Sequence, residues 1–259
     1  MFDIFSPIQV KNVYFTNRIV MAPMVRFGLP SENGVMGEKL LQDYLVRADK
    51  GIGLMISQTL GVSTERETAG GAGAYSDQHI GYLSKIAKAC HTNGTRFFAQ
   101  LGLPGFGFYD DRSDDVNKLT KQDLIKIRDW FIRGAEICLK AGLDGIELHG
   151  AHTFFLNMMA SSYSNKREDA YGGDLTGRLT LAREITEAIK SFSGDDFILS
   201  YRMGWGGDLD IDVQTAQALE HMGIDMLHVS TGIPKDRKLQ LPAGFEYNDV
   251  VYLGCDVNK

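Results

Sequence analysis

The stretch GLDGIELHGAHTFFL, residues 142–156, decides how the rest of the chain is read. An Ala-Gly pair stops a helical pattern, GIEL follows as a short extended run, and the chain then breaks into a Gly-Ala loop carrying His149 and His152. A strand that is apolar on both faces belongs in a parallel sheet covered by helices, because a sheet with one wet face would show polar residues at every second position.

The same pattern recurs on either side, in RIVMAPM (18–24), GLMISQT (53–59), RFFAQLG (96–102), FILSYRM (197–203) and MLHVSTG (226–232). Helical patterns lie between them at 79–94, 120–142, 179–194 and 213–223. The second opens with TKQD, an N-cap threonine with an acid three residues on, and glycines follow the helices at Gly51, Gly94, Gly142, Gly194 and Gly223. Strand followed by helix, repeated without a strand–strand hairpin among the units, predicts parallel strands with crossover helices. About six such units, and no GxGxxG after the first strand, predict a (β/α)8 TIM-barrel type rather than a doubly wound sheet. We expect one domain over 1–259, since no linker or low-complexity segment divides it. A closed barrel takes eight strands. Strands 7 and 8 are not found before Lys259, where EYNDVVYLGCDVNK offers only a short run, VVYLG, so the barrel is expected to be C-terminally incomplete.

Composition narrows the function classes. Hydrophobic content of 44% with 23% charged residues is that of an ordinary globular protein. A net charge of −6 without a Lys/Arg run argues against a nucleic-acid partner. Cys90, Cys138 and Cys255 are odd in number and far apart, which suggests neither a disulfide framework nor a metal knuckle. MFDIFSPIQV lacks the features of a signal peptide and no apolar run reaches membrane length, so a cytoplasmic setting is expected.

Polar residues at the C-terminal ends of barrel strands face the active-site mouth. Those ends supply Ala22–Arg26, Gln58 and Thr59, Gln100, His149 with His152, Arg202, and Ser230 with Thr231. Glu147 is read as lying inside the fourth strand, and Asp208, Asp210 and Asp212 in a loop after the fifth. Without converging carboxylates, hydrolysis by paired acids is poorly equipped. A glutamine, two histidines and an arginine suit a neutral or anionic ring bearing carbonyls, with a redox cofactor bringing the chemistry. The histidine pair itself admits three readings: packed core residues, metal ligands lacking a third partner, or paired N–H donors to a carbonyl oxygen. His79, His91, His221 and His228 read as surface or core residues.

Taken together, HGAHTFFLNMMASSYSNKREDAYGGDLTGR (149–178) resembles the signature of the Old Yellow Enzyme family of FMN-dependent oxidoreductases, whose pattern runs HGAHGYLL and then SP-x-x-N-x-R-x-D-x-YGGS-x-x-NR. The matching residues include His149, His152, Asn165, Arg167, Asp169, Tyr171, Gly172, Gly173 and Arg178; NRIVMAPM near the N-terminus, Gln100 in QL and Arg202 in YRMG agree as well. The resemblance implies a flavoprotein with FMN across the barrel mouth against Ala22, Pro23, Met24 and Val25, near Thr59, with Gln100 at the pyrimidine edge and Arg202 near the N1/C2 side. It implies NAD(P)H as reductant, hydride transfer to an activated alkene or other electron-poor acceptor, and a small-molecule substrate whose carbonyl oxygen His149 and His152 clamp beside Phe154. Asn165–Arg178 would brace the loop, no metal is implied, and a homo-oligomer remains open. The sequence departs from the family at several points. Phe154 stands where the family has its proton-donating tyrosine, Val25 where threonine or cysteine is usual, and Leu103 and Phe106 where histidine and arginine are expected. Lacking the last two strands and their phosphate loops, the chain alone is expected to bind FMN weakly. The alternative is a non-catalytic remnant of the fold serving as a scaffold.

Overall fold

The computed structural model describes residues 3–29, 31–65, 68, 71–104, 116–204 and 208–230. An antiparallel hairpin opens it, β1 (Ile8–Val10) against β2 (Val13–Phe15), followed by β3 (Val20–Met21). A second small hairpin, β4 (Ser31–Glu32) with β5 (Val35–Met36), precedes α1 (Glu38–Arg47). The alternation then runs β6 (Leu54–Gly61), α2 (Ile80–Thr92), β7 (Arg96–Gly102), α3 (Lys121–Lys140) and β8 (Gly145–Gly150). After it come α4 (Phe155–Ala160), α5 (Leu175–Arg178), α6 (Thr180–Ser193), β9 (Ile198–Gly204), α7 (Leu209–His221) and β10 (Met226–Ser230).

Six parallel strands form one curled sheet in the order β10-β9-β8-β7-β6-β3, each beside its neighbour in sequence, which is a barrel-type βα arrangement with six of its strands described. The expected strand over 18–24 shrinks to Val20–Met21, because Pro23 cannot donate to a ladder. Both hairpins escape a reading by sequence, since runs of two or three residues carry too little periodicity to register. The helices start and stop near the expected points. Thr120 and Asp123 form the capping box, and Gly94 and Gly142 sit at φ of 73° and 79°, where a side chain would be strained. One boundary moves: Asp208 caps α7 by accepting from the Ile211 N–H, and Asp210 and Asp212 lie in its first turn. These acids therefore answer the positive end of a helix rather than standing in a loop.

The core divides into two layers. Met55, Phe97, Ala99, Leu101, Ile146, Leu148, Leu199 and Tyr201 point outward and pack against helical residues such as Leu83, Ile86, Phe131 and Ile185. Leu54, Ile56, Phe98 and Ile198 point inward and meet Val13 and Phe15 of the N-terminal hairpin, with the Phe15 and Phe98 rings edge to face at 6.2 Å. The hairpin thus closes the N-terminal end of the sheet's inner face.

A register shift between Ile56 and Thr59 decides which side chains of β6 face inward. Ile56 pairs with Phe98 and Thr59 with Gln100, so β6 spends three residues where β7 spends two. The extra residue is a β-bulge. Its unpaired groups are satisfied: Gln58 N–H donates to the Tyr44 hydroxyl at 2.6 Å, and Gln100 N–H donates to Ser57 Oγ at 3.1 Å. Inward positions are Leu54 and Ile56 before the bulge, and Thr59 and Gly61 after it.

Candidate active site at the C-terminal mouth of the sheet

Register stacks the inward residues in levels. Phe98, Gly145 and Ile198 form an apolar floor. Above it lie Thr59, Gln100, Glu147 and Ser200 on four successive strands, all buried. The next level carries Gly61, Gly102, His149, Arg202 and His228. Ser230 ends β10 one step higher.

The middle level is a hydrogen-bonded belt. The Thr59 hydroxyl donates to Gln100 Oε1, and Gln100 Nε2 donates to Glu147 Oε1 at 2.8 Å. Ser200 Oγ reaches Glu147 Oε2 at 3.4 Å and His228 Nδ1 lies 2.9 Å from the same oxygen. A fully buried carboxylate without such partners would cost several kcal/mol. From sequence, Glu147 reads as strand interior and His228 as surface or core, although Gly145, Glu147 and His149 share one face by strand alternation. That period-two count, applied upstream from His149 and Ser230, finds both.

In the mouth, the His149 ring stacks on Phe154 at 4.0 Å between centroids and meets His152 edge to face at 5.2 Å. His152 and Thr153 both take left-handed backbone, at φ of 56° and 61°. Thr153 is held there by its N–H donating to Asn157 Oδ1 at 2.9 Å and its hydroxyl donating to the His152 carbonyl at 2.6 Å. A β-branched residue in this region is strained. His152 Nε2 lies 2.8 Å from Ser230 Oγ, which also accepts from Arg202 Nη2 at 3.2 Å.

Burial, then the neighbouring His152, Arg202 and His228, holds the His149 imidazole well below the ordinary histidine value. Burial first, then the neighbouring Arg202 and His228, lowers His152 to about 3. Both rings are therefore neutral at physiological pH and carry one N–H each, with Ser230 already standing against His152 Nε2. His149 Nδ1 is buried and has no hydrogen-bond partner among the described residues. Two neutral donors beside a guanidinium suit a carbonyl oxygen or another centre that gains negative charge.

The structure brings Thr59 to Gln100, His149 to His152 and Phe154, and, through Ser230, His152 to Arg202. Ala22, Pro23, Met24 and Val25 follow β3; Ala22 and Met24 are exposed and Pro23 is buried. Their loop is tied to β6 by the Arg26 N–H donating to Gln58 Oε1 at 3.2 Å. Tyr163 is 53% exposed. Phe106, Thr231 and the VVYLG run lie outside the described residues. Among the described residues no three His, Cys, Asp or Glu side chains are grouped to hold a metal.

The loop after β8 is braced by the residues expected to brace it. Asn165 Nδ2 donates to the carbonyls of Met159 and Tyr171, at 2.7 and 2.8 Å. Arg167 donates to the carbonyls of Val116 and Leu119 and pairs with Asp169. Arg178 donates to those of Ala160 and Gly173.

The residues fit a flat ring carrying carbonyl oxygens. Two inward positions at the mouth, Gly61 and Gly102, have no side chain, and a Cβ on Gly102 would lie 2.5 Å from Thr59 Cγ2 and 3.1 Å from the Phe154 ring.

Comparison with known proteins agrees with this geometry. The model of the NADH:flavin oxidoreductase / NADH oxidase family matches residues 3–117 and 106–231. The NADH oxidase of Thermoanaerobacter brockii is 30% identical over 283 residues, spanning 99% of this chain but 43% of that protein. The NADPH dehydrogenase of Bacillus licheniformis is 31% identical over 253 residues, covering 90% of this chain and 75% of that one. Among solved structures, the old yellow enzyme homologue from Zymomonas mobilis superposes with a TM-score of 0.74 at 23% identity, over 87% of this chain and 72% of its own, a likeness of fold. The chain spans between less than half and about three quarters of these proteins. With its strand order, its stacked inward residues and a match over most of its length, the chain belongs to the NADH:flavin oxidoreductase / NADH oxidase family, whose members work with FMN and take their electrons from NAD(P)H.

Proposed function

We propose that this chain, as one FMN-oxidoreductase-like barrel domain over 1–259, takes part in reducing an activated alkene or similar electron-poor small molecule in the cytoplasm. The observation that carries this reading is the pair of neutral imidazoles, His149 and His152, beside Arg202 at the mouth. The chemistry supplied by bound FMN is hydride transfer, taken from NAD(P)H and delivered to the carbon β to a carbonyl. The residues available to hold the cofactor are Ala22, Pro23, Met24, Val25, Thr59, Gln100 and Arg202.

The protein's own part is electrostatic. His149 and His152 donate hydrogen bonds to the substrate's carbonyl oxygen, drawing electrons from the double bond. Because their rings are already neutral, they do so without titrating across physiological pH. Arg202 supplies fixed positive charge, and the Phe154 ring keeps His149 aligned by stacking. Phe154 carries no hydroxyl, so the proton for the α-carbon comes from solvent or from another group.

The test is turnover of 2-cyclohexen-1-one by the purified chain with excess FMN and NADPH or NADH under anaerobic conditions. Enone loss should depend on all components, and His149→Ala should lower kcat/KM by on the order of 10²- to 10³-fold, as removal of an oxyanion donor does. Turnover that His149→Ala leaves untouched would overturn the assignment.

A further inference from the structure

We propose that Glu147 is the positioning residue of this site: it fixes the direction of the hydrogen-bond chain beneath the mouth and thereby decides which polar atoms a bound ring meets. The identity of that ring as FMN rests on the reading above; the direction of the chain does not.

Glu147 is fully buried on the central strand of the belt, and its partners come from strands on either side of β8. An ionised carboxylate only accepts. Gln100, 2.8 Å away, must therefore turn Nε2 toward it, since the opposite amide orientation would set oxygen against oxygen. That choice places Gln100 Oε1 against Thr59, and the Thr59 hydroxyl has to spend its single proton there. Thr59 is then an acceptor toward anything above it, and the second N–H of Gln100 remains a donor. On the other side, His228 Nδ1 at 2.9 Å must carry a proton. Neutral histidine in water prefers the Nε2–H form, so the carboxylate holds this ring in its less common tautomer.

One acid thus sets protons on β6, β7 and β10. Turning the Gln100 amide over would exchange donor for acceptor at Thr59, and a ring bound there would meet the wrong polarity.

The test is side-chain NMR on the ¹⁵N-labelled chain without cofactor, paired with FMN binding. At a pH where the His228 ring is neutral, it should show Nδ1–H, with His228→Gln used to assign it. The Gln100 amide should show one slowly exchanging N–H, assigned with Gln100→Leu. In Glu147→Gln, His228 should revert to the Nε2–H form, the Gln100 protection should fall at least tenfold, and the Kd for FMN should rise about tenfold. A wild-type His228 in the Nε2–H form overturns the proposal whether or not the variant folds. So do unchanged Gln100 and His228 signals in a folded Glu147→Gln chain, or an FMN affinity in that variant equal to the wild type's. If the wild type itself takes up no FMN, the functional reading fails while the NMR signals still decide the role of Glu147.

Discussion

The two ends of the sheet's inner face are built on opposite principles. At the N-terminal end, Leu54, Ile56, Phe98 and Ile198 close on Val13 and Phe15 with no polar side chain among them. At the C-terminal end, four residues or about 13 Å along the same strands, sit two neutral histidines, a partnerless buried nitrogen and two consecutive residues in left-handed backbone. The first end is optimised for packing, and the second tolerates local cost. Stability and chemistry are thus separated along single strands, so mutations at the two ends should fail in different ways.

The largest expected effect is at the floor. Phe98→Ala empties a fully buried ring site and should cost about 3–5 kcal/mol, seen as a fall in the denaturant midpoint. If it is nearly neutral, the apolar end is not the stabilising one and the contrast collapses. At the mouth the sign should reverse. His149→Leu replaces a buried ring that lacks a partner for Nδ1 with an apolar side chain, and should be neutral or stabilising by about 1 kcal/mol while abolishing enone turnover.

Acid sharpens the same contrast. His149 and His152 are held below their ordinary value in the folded chain, so unfolding lets each take up a proton once pH drops beneath about 6.5. The penalty is absent above that pH and grows as pH falls toward the lowered value of about 3 for His152. Each ring should contribute a slope of about 1.4 kcal/mol per pH unit through this window. Comparing urea midpoints of wild type and His152→Gln from pH 7 to pH 4 should show a shallower decline in the variant; parallel curves would mean His152 is protonated in the folded state.

Two smaller effects concern the strained loop. Thr153→Gly should stabilise by about 1 kcal/mol by relieving a β-branched residue at φ 61°, read as a higher Tm. Phe154→Tyr restores a hydroxyl beside His149 and should speed enone reduction where protonation limits the rate, with little change in Tm. A rate increase without the hydroxyl, in Phe154→Leu, would assign the effect to lost stacking instead.

Much of this is legible in the letters. Parallel order and the helices follow from apolar runs punctuated by glycine, and the mouth residues from the polar letters at strand ends. What escapes has a common physical cause. A strand that is apolar on both faces carries no alternation to tell inside from outside: β8 is buried throughout, and on β10 the exposed positions are the apolar Leu227 and Val229, so Glu147 and His228 do not stand out although they join one belt. The short hairpins and the cap of α7 escape because pairing and capping are settled by contacts distant or local to a residue, not by its own hydrophobicity. The partnership of His152 with Ser230 spans 78 positions and is visible only once β8 and β10 lie in one sheet.

The bulge in β6 has a consequence of parity. Before it, even-numbered side chains look into the sheet's concave face; after it, odd-numbered ones do. Thr59 therefore faces the belt because the bulge absorbs one extra residue, whose loose ends Ser57 and Tyr44 tie off. Deleting a single residue at 57 or 58 would leave the composition of the strand almost unchanged. It would leave Thr59 on the concave face, two residues after Ile56 as Gln100 is two after Phe98, and would remove the bulge together with a residue that ties it to Gln100 or Tyr44. For this strand, counting matters as much as chemistry: its sense depends on a reading frame held in space.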